Sequence, residues 1–176
     1  MVQSAVRFCL FALDKPLRIG YNKGMDAMIV DMDGTLADVR GIRHHIVPPD
    51  PMPKGWYKDF HAFHRESVNA PLNHAVRDQV WRAHMMGTKI LIVTARKHMY
   101  RHHTAMFLAI HDIPSDALYM RGNEDGRKDY EVKSDILHTI RKRGYNVIHA
   151  IDDNPNVIKL WKDNDIPVTE IEGFGF

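Results

Sequence analysis

The stretch Ile29-Val30-Asp31-Met32-Asp33-Gly34-Thr35-Leu36 constrains this chain more than any other. Ala27 to Val30 is a short apolar run of β-favouring residues and reads as a buried strand. Two carboxylates follow at i and i+2, and Gly34 then lets the chain turn sharply. A strand that ends in acid and glycine places its charges at the carboxyl edge of a sheet, where open α/β sheets bind ligands. Aspartates this close repel one another unless a cation or a proton relieves them. Magnesium does so directly, taking one or two carboxylates together with water and phosphate oxygens. One carboxylate can then attack phosphorus, while the other carries the proton for the leaving oxygen. A lone Asp-X-Asp is more often just an acidic turn, so the remainder of the chain decides its meaning.

At 176 residues the chain suits one domain with a full hydrophobic core. Its formal net charge of +2 implies no strong global field. The single cysteine, Cys9, rules out an internal disulfide and fits a reducing compartment, so a cytoplasmic location is expected. No run is long enough to span a membrane. Phe8 to Leu13 is apolar but short, with no cleavage site after it, and reads as a strand or packing arm. Residues 1–24 form an N-terminal extension, with Met25 a possible alternative start, and 25–176 form the main domain.

From Asp38 to Pro71 the periodicity breaks down, and Pro48, Pro49, Pro51 and Pro53 argue against regular structure there. This segment reads as a small insert over the acidic turn, carrying Trp56, Tyr57, Phe60 and Phe63 among basic residues. Asn73 can cap a helix through Val76, Val80, Trp81 and Ala83 that Gly87 stops. Lys89 to Val93 is a second strand. A helix from His98 to Ile110 follows, with Met99, Met106, Phe107 and Ile110 as its expected core face. Leu118 to Met120 is a short strand, and the next helix presents Val132, Ile136, Leu137 and Ile140. Asn146 to Ile151 is a strand ending in Asp152-Asp153; Asn154-Pro155 starts a helix with Val157, Ile158, Leu160 and Trp161, and Val168 to Ile171 is the last strand. Strands alternating with helices predict a parallel sheet covered on both faces.

Three strand ends therefore carry matching polar groups: Asp31 and Asp33, then Thr94 and Arg96, then Asp152 and Asp153. In a parallel sheet they converge on one edge. Lys133 lies one turn after Asp129 on a helix that can lean over that edge. The set fits phosphoryl transfer, which is mostly positioning and charge neutralisation. Asp152 completes a magnesium site with Asp31, Thr94 holds a phosphoryl oxygen, and Lys133 neutralises charge on the transferred group. Singly each has a duller reading, as a helix-start acid, a strand-end cap or a solvated lysine; together, in this order, the functional reading prevails.

Asp31-Met32-Asp33-Gly34-Thr35, Thr94, Lys133 and Asp152-Asp153 resemble the four motifs of the haloacid dehalogenase (HAD) superfamily of phosphotransferases. The resemblance covers Ala27 to about Ile171 and implies a HAD-like Rossmannoid three-layer α/β fold with a parallel sheet and a small cap insert at about 38–71. The runs Tyr119-Met120-Arg121, Arg127-Lys128-Asp129, Val132-Lys133 and Ile151 to Trp161 are similar to the 3′-phosphatase domain of phage polynucleotide kinase-phosphatase. That likeness implies removal of 3′-phosphates from nucleic acid ends, with Mg2+ and an aspartyl-phosphate. It implies Asp31 as nucleophile and Asp33 as general acid and then base, with Thr94 and Lys133 also catalytic. Asp31, Asp33 and Asp152 are the implied metal residues, and Thr35, Arg96, Asp129, Asp153 and Arg43 the implied phosphate or substrate contacts. Two positions depart from that family. Asn154 stands where it has arginine after the second motif-four aspartate, and its arginine after the first motif falls at Ile42, between Arg40 and Arg43. No GxxxxGK[ST] phosphate loop occurs, so a stand-alone phosphatase without the kinase half is expected.

A small insert leaves the edge open to a polymer end, whereas a large cap would enclose a small molecule. Aromatics among basic residues suit stacking on single strands; equally, Trp56, Phe60 and Phe63 can pack the insert onto the core. The pairs His98/His102 and His61/His64 read as surface histidines rather than metal ligands. The expected partners are phosphorylated nucleic acid ends or a phosphorylated small molecule, with no membrane and no obligate protein partner. The alternatives are a small-molecule HAD phosphatase acting on nucleotides or sugar phosphates, and a non-catalytic binding module.

Overall fold

The computed structural model describes residues 25–171. The expected arm at Phe8 to Leu13 lies outside them. Five strands form one sheet: β1 (Met25–Val30), β2 (Lys89–Lys97), β3 (Ala117–Arg121), β4 (Tyr145–Asp152) and β5 (Val168–Glu170). Their order is β3-β2-β1-β4-β5, and every pairing is parallel. β1 lies at the centre, so the acidic turn that follows it emerges at the middle of the carboxyl edge. The five helices are α1 (Phe60–Glu66), α2 (His74–Met85), α3 (Arg101–Ile110), α4 (Asp129–Lys142) and α5 (Pro155–Asp163).

The strands alternate their side chains between two cores, as a pleat requires. Met28, Val30, Ile90 and Ile92 face Val76, Val80, Phe107 and Leu108 on one side. Ala27, Ile29, Leu91 and Val93 face Val132, Ile136, Leu137, Ile140, Val157 and Trp161 on the other. The result is the three-layer α/β architecture expected from the sequence. Capping follows the sequence as well: Asn73 Oδ1 accepts from Val76 N, and Asn154 Oδ1 accepts from Asn156 N ahead of Pro155.

Two local expectations fail. The insert does contain regular structure: a 3-10 segment (Arg40–His45), then α1, then a 3-10 turn (Ser67–Asn69). The proline cluster 48–53 stops short of α1, and Asp59 caps that helix by accepting from Ala62 N at 2.8 Å. Phe60 and Phe63 at i, i+3 were already a helical signal. The insert's ends meet where Ala37 bridges Leu72 and Asp38 N donates to Pro71 O at 2.8 Å. The second failure is the core face of α3. Phe107 is buried as expected, but Met99, Met106 and Ile110 are exposed, and Thr104 and Leu108 are buried in their place. His98–Tyr100 is a 3-10 turn, so α3 starts at Arg101 and its helical phase differs from one counted from His98.

Candidate active site

β1 hands its last hydrogen bond to the turn: Asp31 N donates to Ile151 O at 3.0 Å, which fixes Asp31 beside the end of β4. Gly34 then adopts φ 82°, a conformation open to glycine and strained for other residues. Gly34 N donates to Ala37 O, and Ala37 N to Met32 O at 2.8 Å, closing a tight loop that presents Asp31 and Asp33 on the same edge.

Asp31, Asp152 and Asp153 offer carboxylate oxygens that all lie within 4.8 Å of one another, and all three residues are buried. Lys133 reaches them from α4. Its Nζ donates to Asp31 Oδ1 at 2.7 Å and to Asp152 Oδ2 at 2.8 Å. Asp152 is held further by Trp161 Nε1 and by Asn154 N, each at 3.1 Å. Thr35 Oγ1 donates to Asp153 Oδ1 at 3.3 Å, so Thr35 supports Asp153 from below and does not face the cavity.

Three carboxylates share one ammonium here. Burial raises the Asp31 carboxyl well above its usual range, and Asp152 and Asp153 add to this against Lys133. Burial, then Asp152, also lifts Asp153 to about 6. Lys133 is held protonated: burial opposes its charge, but Asp152 and Asp31 outweigh it. The cluster thus stays short of positive charge even with its lysine in place, and a divalent cation would supply it.

Asp33 is treated differently. Arg96 grips it with a two-pronged ion pair, Nε to Oδ2 at 2.8 Å and Nη2 to Oδ1. Burial pushes the Asp33 carboxyl up, yet Arg96 outweighs it and leaves the group below its ordinary value. Arg96 is itself buried and donates from Nη1 to Thr104 Oγ1 at 3.1 Å. Thr94 is buried and accepts from Arg96 N at 3.2 Å, with its hydroxyl proton left to donate. Two carboxylates in one turn therefore sit in opposite electrostatic settings: Asp31 favours its proton until a cation joins the cluster, and Asp33 favours its charge.

A cavity of about 770 Å³ opens over this edge. Asp31, Asp33, Thr94, Arg96, Asp129 and Asp153 line it, and Lys58, Phe60, His61 and His64 of the insert form part of its wall. Arg43 does not line it; this residue lies in the 3-10 segment, where its carbonyl accepts from Ile46 N and Val47 N. The insert's aromatics differ in burial. Phe63 is buried in the core, whereas Phe60 is 45% exposed and Tyr57 is 72% exposed. Of the paired histidines, His61, His98 and His102 are exposed, but His64 is buried against Tyr100, with ring centroids 4.0 Å apart. Burial, with Arg96 nearby, lowers His64 to about 3, so it is neutral.

Arg121 had no role in the sequence reading, and it organises the far wall. It is buried, donates from Nε to Ala95 O at 2.8 Å and pairs with Asp129, while Nη1 reaches the Asp125 and Arg127 carbonyls. It lies at the end of β3, the same strand-end position that marked the other groups, but the expected strand stopped at Met120.

The parallel sheet and its flanking helices give the chain a HAD-like fold. A HAD-like family hydrolase of Streptococcus pneumoniae superposes with a TM-score of 0.60 at 20% identity, covering 85% of this chain and 86% of its own. The family "Polynucleotide kinase PNKP phosphatase domain" matches residues 25–176, and the chain belongs to this family of HAD phosphatases. Among solved structures, a chain of the Pnkp1/Rnl/Hen1 complex has a TM-score of 0.72 and 25% identity over 89% of this chain. A bifunctional polynucleotide kinase/RNA ligase of Autographa californica nuclear polyhedrosis virus is 41% identical over 56 residues, 32% of this chain. The chain spans 49% of the former and 8% of the latter.

Proposed function

We propose that the chain is a metal-dependent phosphomonoesterase that removes 3′-phosphates from DNA or RNA ends through an aspartyl-phosphate. The observation that carries this reading is the buried Asp31–Asp152–Asp153 cluster, bridged by Lys133, at the floor of a cavity walled by Arg96 and the insert. The donor set fits Mg2+: all-oxygen, carboxylate-rich and under-neutralised. Asp31 and Asp152 would hold it beside Asp153, while the carboxylate of Asp33, also expected as a ligand, is engaged by Arg96; when bound the ion supplies charge neutralisation for the phosphoryl oxygens.

Asp31 attacks phosphorus, the bond from phosphorus to the 3′-oxygen breaks, and Asp33 gives that oxygen its proton. Asp33 then takes a proton from water, which attacks the aspartyl-phosphate. Inorganic phosphate leaves and Asp31 is regenerated. The Arg96 fork keeps Asp33 ionised before substrate arrives. A substrate phosphate competes for the guanidinium, loosens this grip and raises the proton affinity of Asp33, which takes up a proton from solvent before the bond breaks; this is the proton it gives to the leaving 3′-oxygen. Thr94 and Lys133 bind phosphoryl oxygens, and Asp153 holds Thr35 and the edge of the metal site. Arg96 and Asp129 contact the substrate end, with Arg43 reaching only a longer strand beyond the cavity. The division into an extension at 1–24 and a phosphatase domain at 25–176, with its insert at about 38–71, belongs to this proposal, as does a cytoplasmic setting. Among the described residues no helix is long and apolar enough to cross a membrane.

Exposed Phe60 and Tyr57 beside Lys58 favour a polymer end over a small molecule, because they offer stacking surface outside the phosphate site. The test compares phosphate release from a 3′-phosphorylated oligonucleotide, its 5′-phosphorylated twin and free mononucleotides. Preference for the 3′-phosphorylated oligomer is expected; preference for mononucleotides would move the reading to a small-molecule phosphatase.

A further inference from the structure

The insert carries a second set of metal-ligating side chains, none of which lines the cavity. His44 and His45 end the 3-10 segment Arg40–His45, and Glu66 ends α1. Two imidazole nitrogens and one carboxylate oxygen lie within 4.8 Å of one another. His45 Nε2 is 2.9 Å from Glu66 Oε2, yet this buried nitrogen has no well-aligned hydrogen bond. The His44 ring lies against His45 with centroids 4.0 Å apart. Two imidazoles and a carboxylate are thus gathered at one point, with His45 Nε2 and Glu66 Oε2 already in contact.

We propose that His44, His45 and Glu66 form a transition-metal site, for zinc or a similar borderline ion, that ties the start of the insert to the end of α1. Imidazole with one carboxylate suits zinc, cobalt or nickel and does not suit magnesium. The site is therefore chemically distinct from the all-oxygen edge. Zinc bonds of about 2.0–2.1 Å require ligand atoms roughly 3.4 Å apart, so His45 Nε2 and Glu66 Oε2, now 2.9 Å apart, must open slightly while His44 closes in. His44 is exposed, so binding requires its ring to leave its contact with His45 and turn inward. Asp59 N already donates to His45 O at 2.8 Å, so the backbones are in register for such a tie. Arg43 and Arg65, next in sequence to His44 and Glu66, disfavour a cation held by charge alone; direct coordination is needed. The consequence is mechanical: α1 carries Phe60, His61 and His64 into the cavity wall, and the metal would fix that wall. The proposal stands whether or not the chain is a phosphatase.

The test is calorimetric titration of the full chain with Zn2+ in excess Mg2+, with Co2+ absorption as a second readout of nitrogen ligation. One equivalent is expected to weaken at least ~10-fold in His44→Ala and in Glu66→Gln, as even outer-shell losses do. Asp31→Asn should leave that equivalent unchanged. Amide exchange between His44 and Glu66 should slow when Zn2+ binds. Glu66→Gln is nearly isosteric at a partly exposed position, so it decides the matter if His44→Ala fails to fold. Wild-type affinity in Glu66→Gln, or loss only in Asp31→Asn, would overturn the proposal.

Discussion

Replacing Lys133 with methionine removes the ammonium that bridges Asp31 and Asp152 while keeping most of the packing of the lysine stem. Both carboxylates are buried, at 5% and 0% exposure, so water cannot take over. Breaking a buried pair by removing one partner costs about 3–5 kcal/mol. For a domain of this size, that lowers the melting temperature by roughly 6–20 °C. The loss should depend on pH with a definite sign. In the folded state Asp31 binds its proton more tightly than in the unfolded chain, and more so without Lys133. A raised folded value means stability is gained as pH falls and lost as pH rises. The deficit of Lys133→Met relative to wild type should therefore shrink between pH 7 and pH 5. Urea melts at the two pH values measure it. A deficit below about 1 kcal/mol at pH 7, the range of exposed pairs, would refute the reasoning. So would a deficit that grows on acidification.

Other consequences follow from the same geometry. Asp33→Asn should lower kcat by about 10²–10⁴-fold, as expected for loss of an acid–base group, with little change in KM. In Arg96→Met the Asp33 carboxyl should rise toward its ordinary value, which carbon NMR of the side chain can follow; an unmoved titration would mean that Arg96 does not control it. Mg2+ at 100 times its Kd should stabilise the fold by about 2.7 kcal/mol, and Asp152→Asn should remove most of that gain in thermal melts. Phe60→Ala should weaken oligonucleotide KM by the equivalent of about 1–3 kcal/mol per stacked base, while mononucleotide kinetics stay unchanged.

What could be read from the sequence was whatever depends on local periodicity. The five strands were legible because each is a short apolar run closed by a turn or by acid, and α4 because Val132, Ile136, Leu137 and Ile140 recur on one face. Asp31, Asp33, Thr94, Asp152 and Asp153 were legible because strand ends in a parallel sheet must share an edge. What depends on tertiary context was not. His64 looks like any surface histidine until Tyr100 covers it. Arg121 becomes a buried hub only because the loop from Gly122 to Lys128 folds its carbonyls back onto it. The two-pronged grip of Arg96 on Asp33 joins residues from different strands, and no spacing rule encodes it. The start of α3 was misplaced because a 3-10 turn and a helix share similar composition.

An oligonucleotide carrying a radiolabelled 3′-phosphate, mixed with the enzyme and Mg2+ and quenched in acid within a single turnover, tests the proposed chemistry most directly. Label should appear on the protein, map to the peptide containing Asp31, and be absent in Asp31→Asn. Release of labelled phosphate with no protein-bound label at any quench time, or undiminished release by Asp31→Asn, would contradict it.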